Sequence, residues 1–281
     1  MSEHREIDVH FQGAAHAVCA HVIDGFVVDP GPESSSAALF AALGDEAPRG
    51  VLLTHIHLDH AGAAGALVRR WPDLEVWVHR NGAGHVVDPS RLVASATRIY
   101  GDQMQRLWGE IIPVPEANVR VLDEAAPLSP ADGVRWAWTP GHASHHVAYL
   151  HEASGIAFAG DVAGVRIGDG PILPPTPPPD IDVAAWHRSI DLLEHWDPGA
   201  VAITHYGTFT DVAEHLSTLH GELDRWAQVA RREDEAGFER ELRRALAGTT
   251  EEHGYHKAMP PNTLYGGLAR YWRNLDTSES R

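Results

Sequence analysis

The stretch Val51-Leu52-Leu53-Thr54-His55-Ile56-His57-Leu58-Asp59-His60 joins an apolar run to three imidazoles and a carboxylate. The small residues of segment 61–66 follow it and lead into another apolar pair. The apolar run predicts a buried β-strand, and the small-residue run predicts a helix that packs tightly against the sheet. The imidazoles and the carboxylate therefore lie on the turn at the carboxyl end of a strand, where open α/β sheets place their ligands.

The spacing of these polar residues indicates metal binding. His55 and His57 alternate along the chain and can chelate one ion, while the adjacent Asp59 and His60 face a second position. Imidazole and carboxylate together suit borderline divalent metals. The stretch predicts part of a metal site, and the remaining ligands must come from later in the chain.

Length and composition indicate a globular protein. The chain has 281 residues, of which 43% are hydrophobic and 22% are charged, so it can form one large domain or two ordinary ones. No apolar run approaches the 18 or more residues of a membrane span, and Met1 to Asp8 is polar. The single Cys19 cannot form an internal disulfide. We therefore expect a cytoplasmic protein that does not associate with membranes.

The charge of the chain bears on its partners. The formal net charge is -17, whereas binding to a nucleic-acid backbone requires a basic face. We therefore expect a small-molecule substrate and no nucleic-acid partner. A homo-oligomer is compatible with the sequence but is not indicated by it.

Beyond the metal-binding stretch, the pattern predicts a large α/β region followed by helices. Residues 1–210 form the predicted main domain, and residues 211–281 form a helical C-terminal extension packed on it. A helical insertion is predicted over about 81–109, where it would cover the mouth of the active site. A substrate pocket is expected between this insertion, the loop Pro171–Pro179 and the C-terminal helices. The predicted apolar lining is Leu92, Ile99, Tyr100, Leu107, Trp108, Ile172 and Leu173, with Arg91, Arg98 and Arg106 on the outer face of the insertion.

Three further predicted strands also end in side chains that can bind metals. His142 follows the strand Val134–Trp138, Asp161 follows a strand that begins at Ile156, and His205 follows the strand Ala200–Ile203. A threonine precedes three of the four ligand segments: Thr54, Thr139 and Thr204. Chance does not readily produce this repetition.

Taken together, these motifs resemble those of the metallo-β-lactamase-fold hydrolase superfamily. The resemblance spans about residues 7–207 and includes the turn Asp29-Pro30-Gly31, H-x-H-x-D-H, G-H, G-D and T-H-Y-G in family order. It implies an α+β fold, a four-layer αββα sandwich in which two mixed sheets pack together with helices outside. The C-terminal helices would extend that fold.

The resemblance also implies a dinuclear metal centre. His55, His57 and His142 would hold the first ion, Asp59, His60 and His205 would hold the second, and Asp161 would bridge them. Two divalent ions per chain are expected, with zinc as the first choice and manganese or iron as alternatives. His146 and Tyr206 are candidates for supporting a ligand or contacting the substrate.

The activity implied is hydrolysis of a small ester, thioester or lactone by a metal-bridging hydroxide, with Asp59 as the catalytic residue that orients the nucleophile or moves its proton. The resemblance points to the glyoxalase II and lactonase-like branch with the subfamily unresolved, because Asp161-Val162-Ala163-Gly164 matches no subfamily pattern in full. Three alternatives stay open: a mononuclear iron persulfide dioxygenase, a phosphodiesterase, and a non-catalytic ligand sensor that keeps the metals.

Overall fold

The computed structural model describes residues 3–279, apart from the side chains of residues 262, 278 and 279. Its first sheet has six strands in the order β1-β2-β3-β4-β5-β6. The first three strands pair antiparallel, and β3 to β6 pair parallel. The strands are β1 (His4–Asp8), β2 (Cys19–Ile23), β3 (Phe26–Val28), β4 (Gly50–Leu52), β5 (Val76–His79) and β6 (Val119–Leu122).

The second sheet has five strands in the order β11-β10-β9-β8-β7. Only β9 and β10 pair parallel, and the other neighbours are antiparallel. The strands are β7 (Val134–Trp138), β8 (Val147–His151), β9 (Ile156–Phe158), β10 (Ala200–Ile203) and β11 (Gly207–Phe209).

Helices cover the outer faces of both sheets. They are α1 (Ser36–Leu43), α2 (Leu58–Ala61), α3 (Ala64–Arg70), α4 (Arg80–Val87), α5 (Ser90–Tyr100), α6 (Met104–Trp108), α7 (Val183–Trp196), α8 (Val212–Arg232), α9 (Glu235–Leu246), α10 (Glu252–Ala258) and α11 (Pro261–Glu279). In the described part of the chain, no helix is both long enough and apolar enough to cross a bilayer.

Strand alternation explains how the sheets form layers. Successive side chains of a strand point to opposite faces, so Val51 and Leu53 pack with the helices outside the first sheet, whereas Leu52 points towards the second sheet. Tyr149 of the second sheet joins Leu52 in the central layer, and Ala148 faces the outer helices on its side. The predicted four-layer αββα sandwich with a helical C-terminal region is confirmed.

The helical segments predicted around the core are present, but two residues of the predicted pocket lining lie elsewhere. The insertion forms α4, α5 and α6, and the C-terminal region forms α8 to α11. Ile172 and Leu173 do not line the pocket, because they pack in the core under the outer helices of the second sheet. Leu173 is held there by a backbone bridge to Val165, which turns this part of the Pro-rich loop inwards.

Candidate metal centre

Loops from both sheets meet at one edge of the sandwich and bring the predicted ligands together. The backbone N–H of Val147 donates to the carbonyl of Thr54 (2.7 Å), and that of Cys19 donates to the carbonyl of Thr204 (2.8 Å). Gly160, at φ 46°, lies so close to Thr54 that an added Cβ would come within 2.5 Å of its hydroxyl. Only glycine allows this approach, and the loop that carries Asp161 depends on it.

One group of ligand atoms is formed by three imidazoles. His55 Nε2 lies 2.9 Å from His57 Nδ1, and His142 Nε2 lies 3.0 Å from the same His57 atom. Asp161 Oδ2 is 3.3 Å from His142 Nε2 and 4.0 Å from His55 Nε2. These four side chains form a group whose ligand atoms could surround a single ion.

A second group lies on the other side of Asp161. Its Oδ1 atom is 3.2 Å from His60 Nε2 and 3.7 Å from His205 Nε2. Asp59 Oδ2 is 3.4 Å from His205 Nε2. The two carboxylate oxygens of Asp161 therefore face different groups, which is the arrangement that a bridging ligand requires.

Hydrogen bonds behind the rings determine which nitrogen of each imidazole faces the centre. His142 Nδ1 lies 2.9 Å from the carbonyl of Pro175, and His205 Nδ1 lies 2.6 Å from that of Ala17. A carbonyl only accepts, so the proton of each ring is on Nδ1 and the lone pair is on Nε2. Partners of this kind orient metal-binding imidazoles and make them better ligands.

Asp29 supports His60 and both neighbouring loops in the same way. Its fully buried carboxylate accepts hydrogen bonds from His60 Nδ1 (2.8 Å), from the hydroxyls of Thr54 (2.6 Å) and Thr204 (3.0 Å), and from the Thr54 backbone N–H (2.8 Å). Because the Thr54 hydroxyl donates to Asp29, it accepts from His55 Nδ1 at 3.0 Å. Two of the three threonines noted in the sequence thus connect the ligand loops to one carboxylate.

The electrostatics differ between the two groups. Burial lowers the pKa of His57 to about 4, and the neighbouring His142 lowers it further. Burial also lowers the pKa of His60, but the carboxylates of Asp161, Asp29 and Asp59 outweigh it and hold that pKa well above its ordinary value. Burial raises the pKa of Asp59, yet His60 and His205 bring it down to about 2. Asp59 is therefore ionised at neutral pH.

The buried polar atoms at the centre fit divalent metal ions. Among the described residues, His60 Nε2, His205 Nε2 and Asp161 Oδ1 are fully buried and have no hydrogen-bond partner. Leaving a buried polar atom unpaired costs about 1–3 kcal/mol, and here three such atoms face one another. A cation bonded to them would remove this cost. Imidazole nitrogen and carboxylate oxygen are donors that zinc, manganese and iron accept.

The two supporting candidates, His146 and Tyr206, lie in different surroundings. His146 is buried, stacks on His55 with ring centroids 5.0 Å apart, and contacts the hydroxyl of Thr139 through Nδ1 at 2.8 Å. Tyr206 packs against His16, with ring centroids 4.8 Å apart, and is not part of the cavity lining. His146 thus contacts a predicted ligand, whereas Tyr206 packs beside the site.

A cavity of about 350 Å³ opens onto the centre. His57, Asp59 and Asp161 lie at its base, and Leu92, Ile99, Tyr100, Leu107 and Trp108 of the insertion line it as predicted. Arg91 was predicted to lie on the outer face of the insertion, but it also lines the cavity. The reason is that α5 turns the side that carries Arg91 and Leu92 towards the opening, so the helix contributes a charge as well as apolar groups.

Sequence reasoning missed three contributors to the site. Asp29 was noted only for its turn, although its position directly after a strand resembles that of the ligand segments. His145 is buried and lines the cavity next to His57. Lys257, the only lysine of the chain, lines the cavity from α10, and its Nζ donates to Gln12 Oε1 at 3.1 Å. The sequence carries no signal for Lys257, because its position depends on how the C-terminal helices fold back.

Comparisons with known proteins agree with this geometry. Residues 20–205 match the family model described as "Metallo-beta-lactamase superfamily". The metallo-beta-lactamase fold-containing protein ST1585 of Sulfurisphaera tokodaii is 27% identical over 176 residues, which cover 60% of this chain and 65% of that protein. A hydroxyacylglutathione hydrolase of Legionella pneumophila is 29% identical over 149 residues, covering 52% of this chain and 46% of the enzyme. The chain thus spans about half to two thirds of the length of these relatives.

Solved structures show the same fold. The crystal structure of ST1585 from Sulfolobus tokodaii superposes with a TM-score of 0.70 at 22% identity, over 95% of this chain and 98% of that one. The metallo-beta-lactamase family protein TTHA1429 of Thermus thermophilus superposes with a TM-score of 0.64 at 20% identity, over 92% and 89% of the two chains. At such identities the likeness concerns the fold alone.

Proposed function

Because the chain belongs to the metallo-beta-lactamase superfamily, we propose that it is a dinuclear metal-dependent hydrolase that cleaves a small ester, thioester or lactone. The observation that carries this proposal is the carboxylate of Asp161, whose two oxygens face two separate groups of buried imidazoles. The second group, with Asp59, His60 and His205, supports two ions rather than the single iron of a persulfide dioxygenase.

The residues divide between the two ions as follows. His55, His57 and His142 would hold the first ion, Asp59, His60 and His205 the second, and Asp161 both. When bound, the metals acidify a water molecule and polarise the substrate oxygen. Asp29, Thr54 and the backbone carbonyls behind the other rings keep the ligand nitrogens pointed at the centre.

Asp59 has a second role in this proposal. Its carboxylate is ionised, one oxygen faces His205 at 3.4 Å, and the side chain lines the cavity. An ionised carboxylate at this position can accept a proton from the nucleophilic water and pass it to the leaving group, as in general acid–base catalysis. The same position lets Asp59 orient that water towards the substrate.

The cavity supports a small acyl substrate. Leu92, Ile99, Trp108, Met259 and Leu264 present apolar surface, and polar and charged side chains that include Arg91 and Lys257 lie among them. A small-molecule site of this size is typically apolar with a few placed polar groups. The acyl portion would lie against the apolar wall, with its carbonyl directed towards the metal centre.

We expect two ions per chain at this centre. The measurement is elemental analysis of metal-replete wild-type protein and of a His55→Ala/His60→Ala variant. The wild type should contain about two more ions per chain than the variant, because the variant lacks one imidazole from each group. Subtracting the variant's metal content excludes ions bound elsewhere on the protein. A difference of one ion would contradict the dinuclear assignment.

We expect carboxylic esters and lactones to be hydrolysed with a higher kcat/KM than phosphodiesters, by about tenfold or more. The apolar part of the lining favours an acyl group, and the strongly acidic chain slows the approach of anionic substrates relative to uncharged esters. The test compares p-nitrophenyl esters and lactones with bis-p-nitrophenyl phosphate on the same metal-loaded sample. A clear preference for the phosphate would place the protein among phosphodiesterases instead.

A further inference from the structure

Two cationic side chains meet on one neutral oxygen at the wall of the cavity. Gln12 Oε1 accepts a hydrogen bond from Lys257 Nζ at 3.1 Å and another from Arg106 Nη1 at 3.4 Å. Gln12 and Lys257 line the cavity, and Arg106 is an exposed residue next to Gln12. The two positive charges are therefore close neighbours, although like charges repel each other.

This pair lacks a carboxylate partner in the part of the chain that the structure describes. Within the described residues, Arg106 has one further hydrogen bond, to the amide oxygen of Gln103, and Lys257 has none. Other cations of the chain do meet acids, as Arg69 does with Glu110. Acidic residues outnumber basic ones by 39 to 22, so an acid would be the expected neighbour of such a pair. The positive charge here is instead available to an anion.

Three segments that are distant in the chain hold the pair in place. The ring of Phe11 stacks on that of Trp108 with centroids 5.5 Å apart, which brings the turn that carries Gln12 against the end of α6. Gln12 itself has a φ of 53°, in the left-handed region that residues other than glycine rarely adopt. On the third segment, α10, Tyr255 Oη donates to the carbonyl of Pro171 at 2.6 Å. Packing therefore positions both cations before any ligand binds.

Hydrogen-bond donors are left over on both sides of the shared oxygen. An ammonium has three N–H groups, and Lys257 uses one of them on Gln12. The amide Nε2 of Gln12 has no hydrogen-bond partner among the described residues. A carboxylate accepts several hydrogen bonds, and those from a charged donor are shorter and stronger than neutral ones. This part of the cavity wall therefore matches a carboxylate.

We propose, on the basis of the hydrolase function proposed above, that the acyl portion of the substrate carries a carboxylate at the end remote from the reacting carbonyl. Lys257 and Gln12 bind this carboxylate, and Arg106 strengthens the positive potential around it. Trp108 and Met259, each two residues from one of the cations, present apolar surface for the chain between the two ends. Repulsion by the acidic chain acts at a distance and is screened by salt, whereas these cations act in direct contact.

The first test compares matched substrates on the metal-loaded full chain. These are the mono-p-nitrophenyl esters of pimelic, suberic and azelaic acids, and the same esters with the free carboxylate converted to a primary amide. We expect the carboxylate form of at least one chain length to have a kcat/KM about tenfold higher or more. The difference should lie in KM, because the carboxylate is remote from the reacting carbonyl, and it should shrink as salt is raised.

A double variant tests whether the two cations cause this preference. In Lys257→Gln/Arg106→Gln, the carboxylate and amide substrates should have kcat/KM values within about twofold of each other. Arg98→Gln/Arg188→Gln is the matched control, because it removes the same charge from exposed positions outside the cavity lining. This control should keep the preference of the wild type.

An independent variant covers the case in which the double replacement disturbs folding. Gln12→Glu keeps both cations and nearly the same side-chain shape, but it places a carboxylate of the protein against them. That carboxylate competes with the one on the substrate, so the preference should again fall to within about twofold.

A binding measurement separates this proposal from the proposed hydrolysis. The corresponding p-nitroanilides resist hydrolysis, and calorimetry gives the dissociation constants of the carboxylate and amide forms. We expect the carboxylate form to bind about tenfold more tightly in the wild type and no more tightly in Lys257→Gln/Arg106→Gln. Carboxylate-dependent binding without any ester hydrolysis would contradict the proposed function but support the carboxylate site.

Three outcomes would overturn the carboxylate site. One is equal binding of the carboxylate and amide forms by the wild type. Another is a preference that survives in Lys257→Gln/Arg106→Gln, which would show that the carboxylate binds elsewhere, such as at the metals. The third is a preference lost in Arg91→Gln and kept in the double variant, because Arg91 also lines the cavity.

Discussion

Replacing Asp59 by Asn is expected to lower kcat for ester hydrolysis by about a hundredfold or more, while the protein stays folded. Asp59 is ionised at neutral pH and lines the cavity beside Asp161. The amide has nearly the same shape but cannot accept a proton, and it brings no negative charge towards His205. The measurement is kcat under saturating substrate, with Tm and metal content determined on the same sample.

Asp73→Asn is the matched control for this variant. Asp73 is exposed in the turn between α3 and β5, so the same chemical change there should leave kcat within about twofold of the wild type, as is usual for surface positions. An Asp59→Asn enzyme with full metal content and near-native kcat would disprove the proton-transfer role.

Replacing Asp29 by Asn is expected to weaken metal binding by about 10–100-fold, although Asp29 faces no metal position itself. Its carboxylate accepts hydrogen bonds from His60 Nδ1, Thr54 and Thr204 within the buried site. The amide has one accepting oxygen instead of two and no charge, so either His60 or the Thr54 backbone N–H loses its acceptor, and any bond that His60 keeps is weaker. Competition with a chelator measures the dissociation constant of each ion, and the ion held by His60 should be affected more strongly.

A control must show that a loss of protein stability does not by itself weaken metal binding. Asp234 caps α9 by accepting a hydrogen bond from the backbone N–H of Gly237 at 2.8 Å. Asp234→Ala should therefore cost about 1 kcal/mol in the free energy of unfolding but leave the metal dissociation constants unchanged. Equal metal affinity in wild type and Asp29→Asn would show that Asp29 is a structural residue only.

The local sequence predicted the strands and grouped the candidate ligands, and the resemblance of its motifs to a known superfamily supplied the fold. Strand residues such as Val51 and Leu52 are apolar on both faces because the sheet is covered by helices on one side and by a second sheet on the other. Side chains that follow such strands lie at a common edge, which is why His55, His142 and His205 could be grouped before any distance was known. The four-layer sandwich was predicted through the resemblance of these motifs to a known superfamily.

The sequence also showed that threonines precede three of the ligand segments, but it did not show which groups these threonines contact. Thr54 and Thr204 both donate to Asp29, a residue 25 and 175 positions away from them. Such convergence depends on the register of two sheets and on the close approach of Gly160, and local patterns carry no information about either. The orientation of each imidazole was equally hidden, because its partner is a distant backbone carbonyl or carboxylate.

Residue types and their order along the strands by themselves determined which side chains are candidate metal ligands, and through the resemblance of these motifs they also indicated the family. The tertiary structure alone decided which oxygen of Asp161 faces which imidazoles and that Arg91 and Lys257 line the cavity. The physical reason is the range of the interactions. Strand alternation and turn chemistry act over a few residues, whereas the cavity and the candidate metal centre are formed by packing between segments that are distant in the chain.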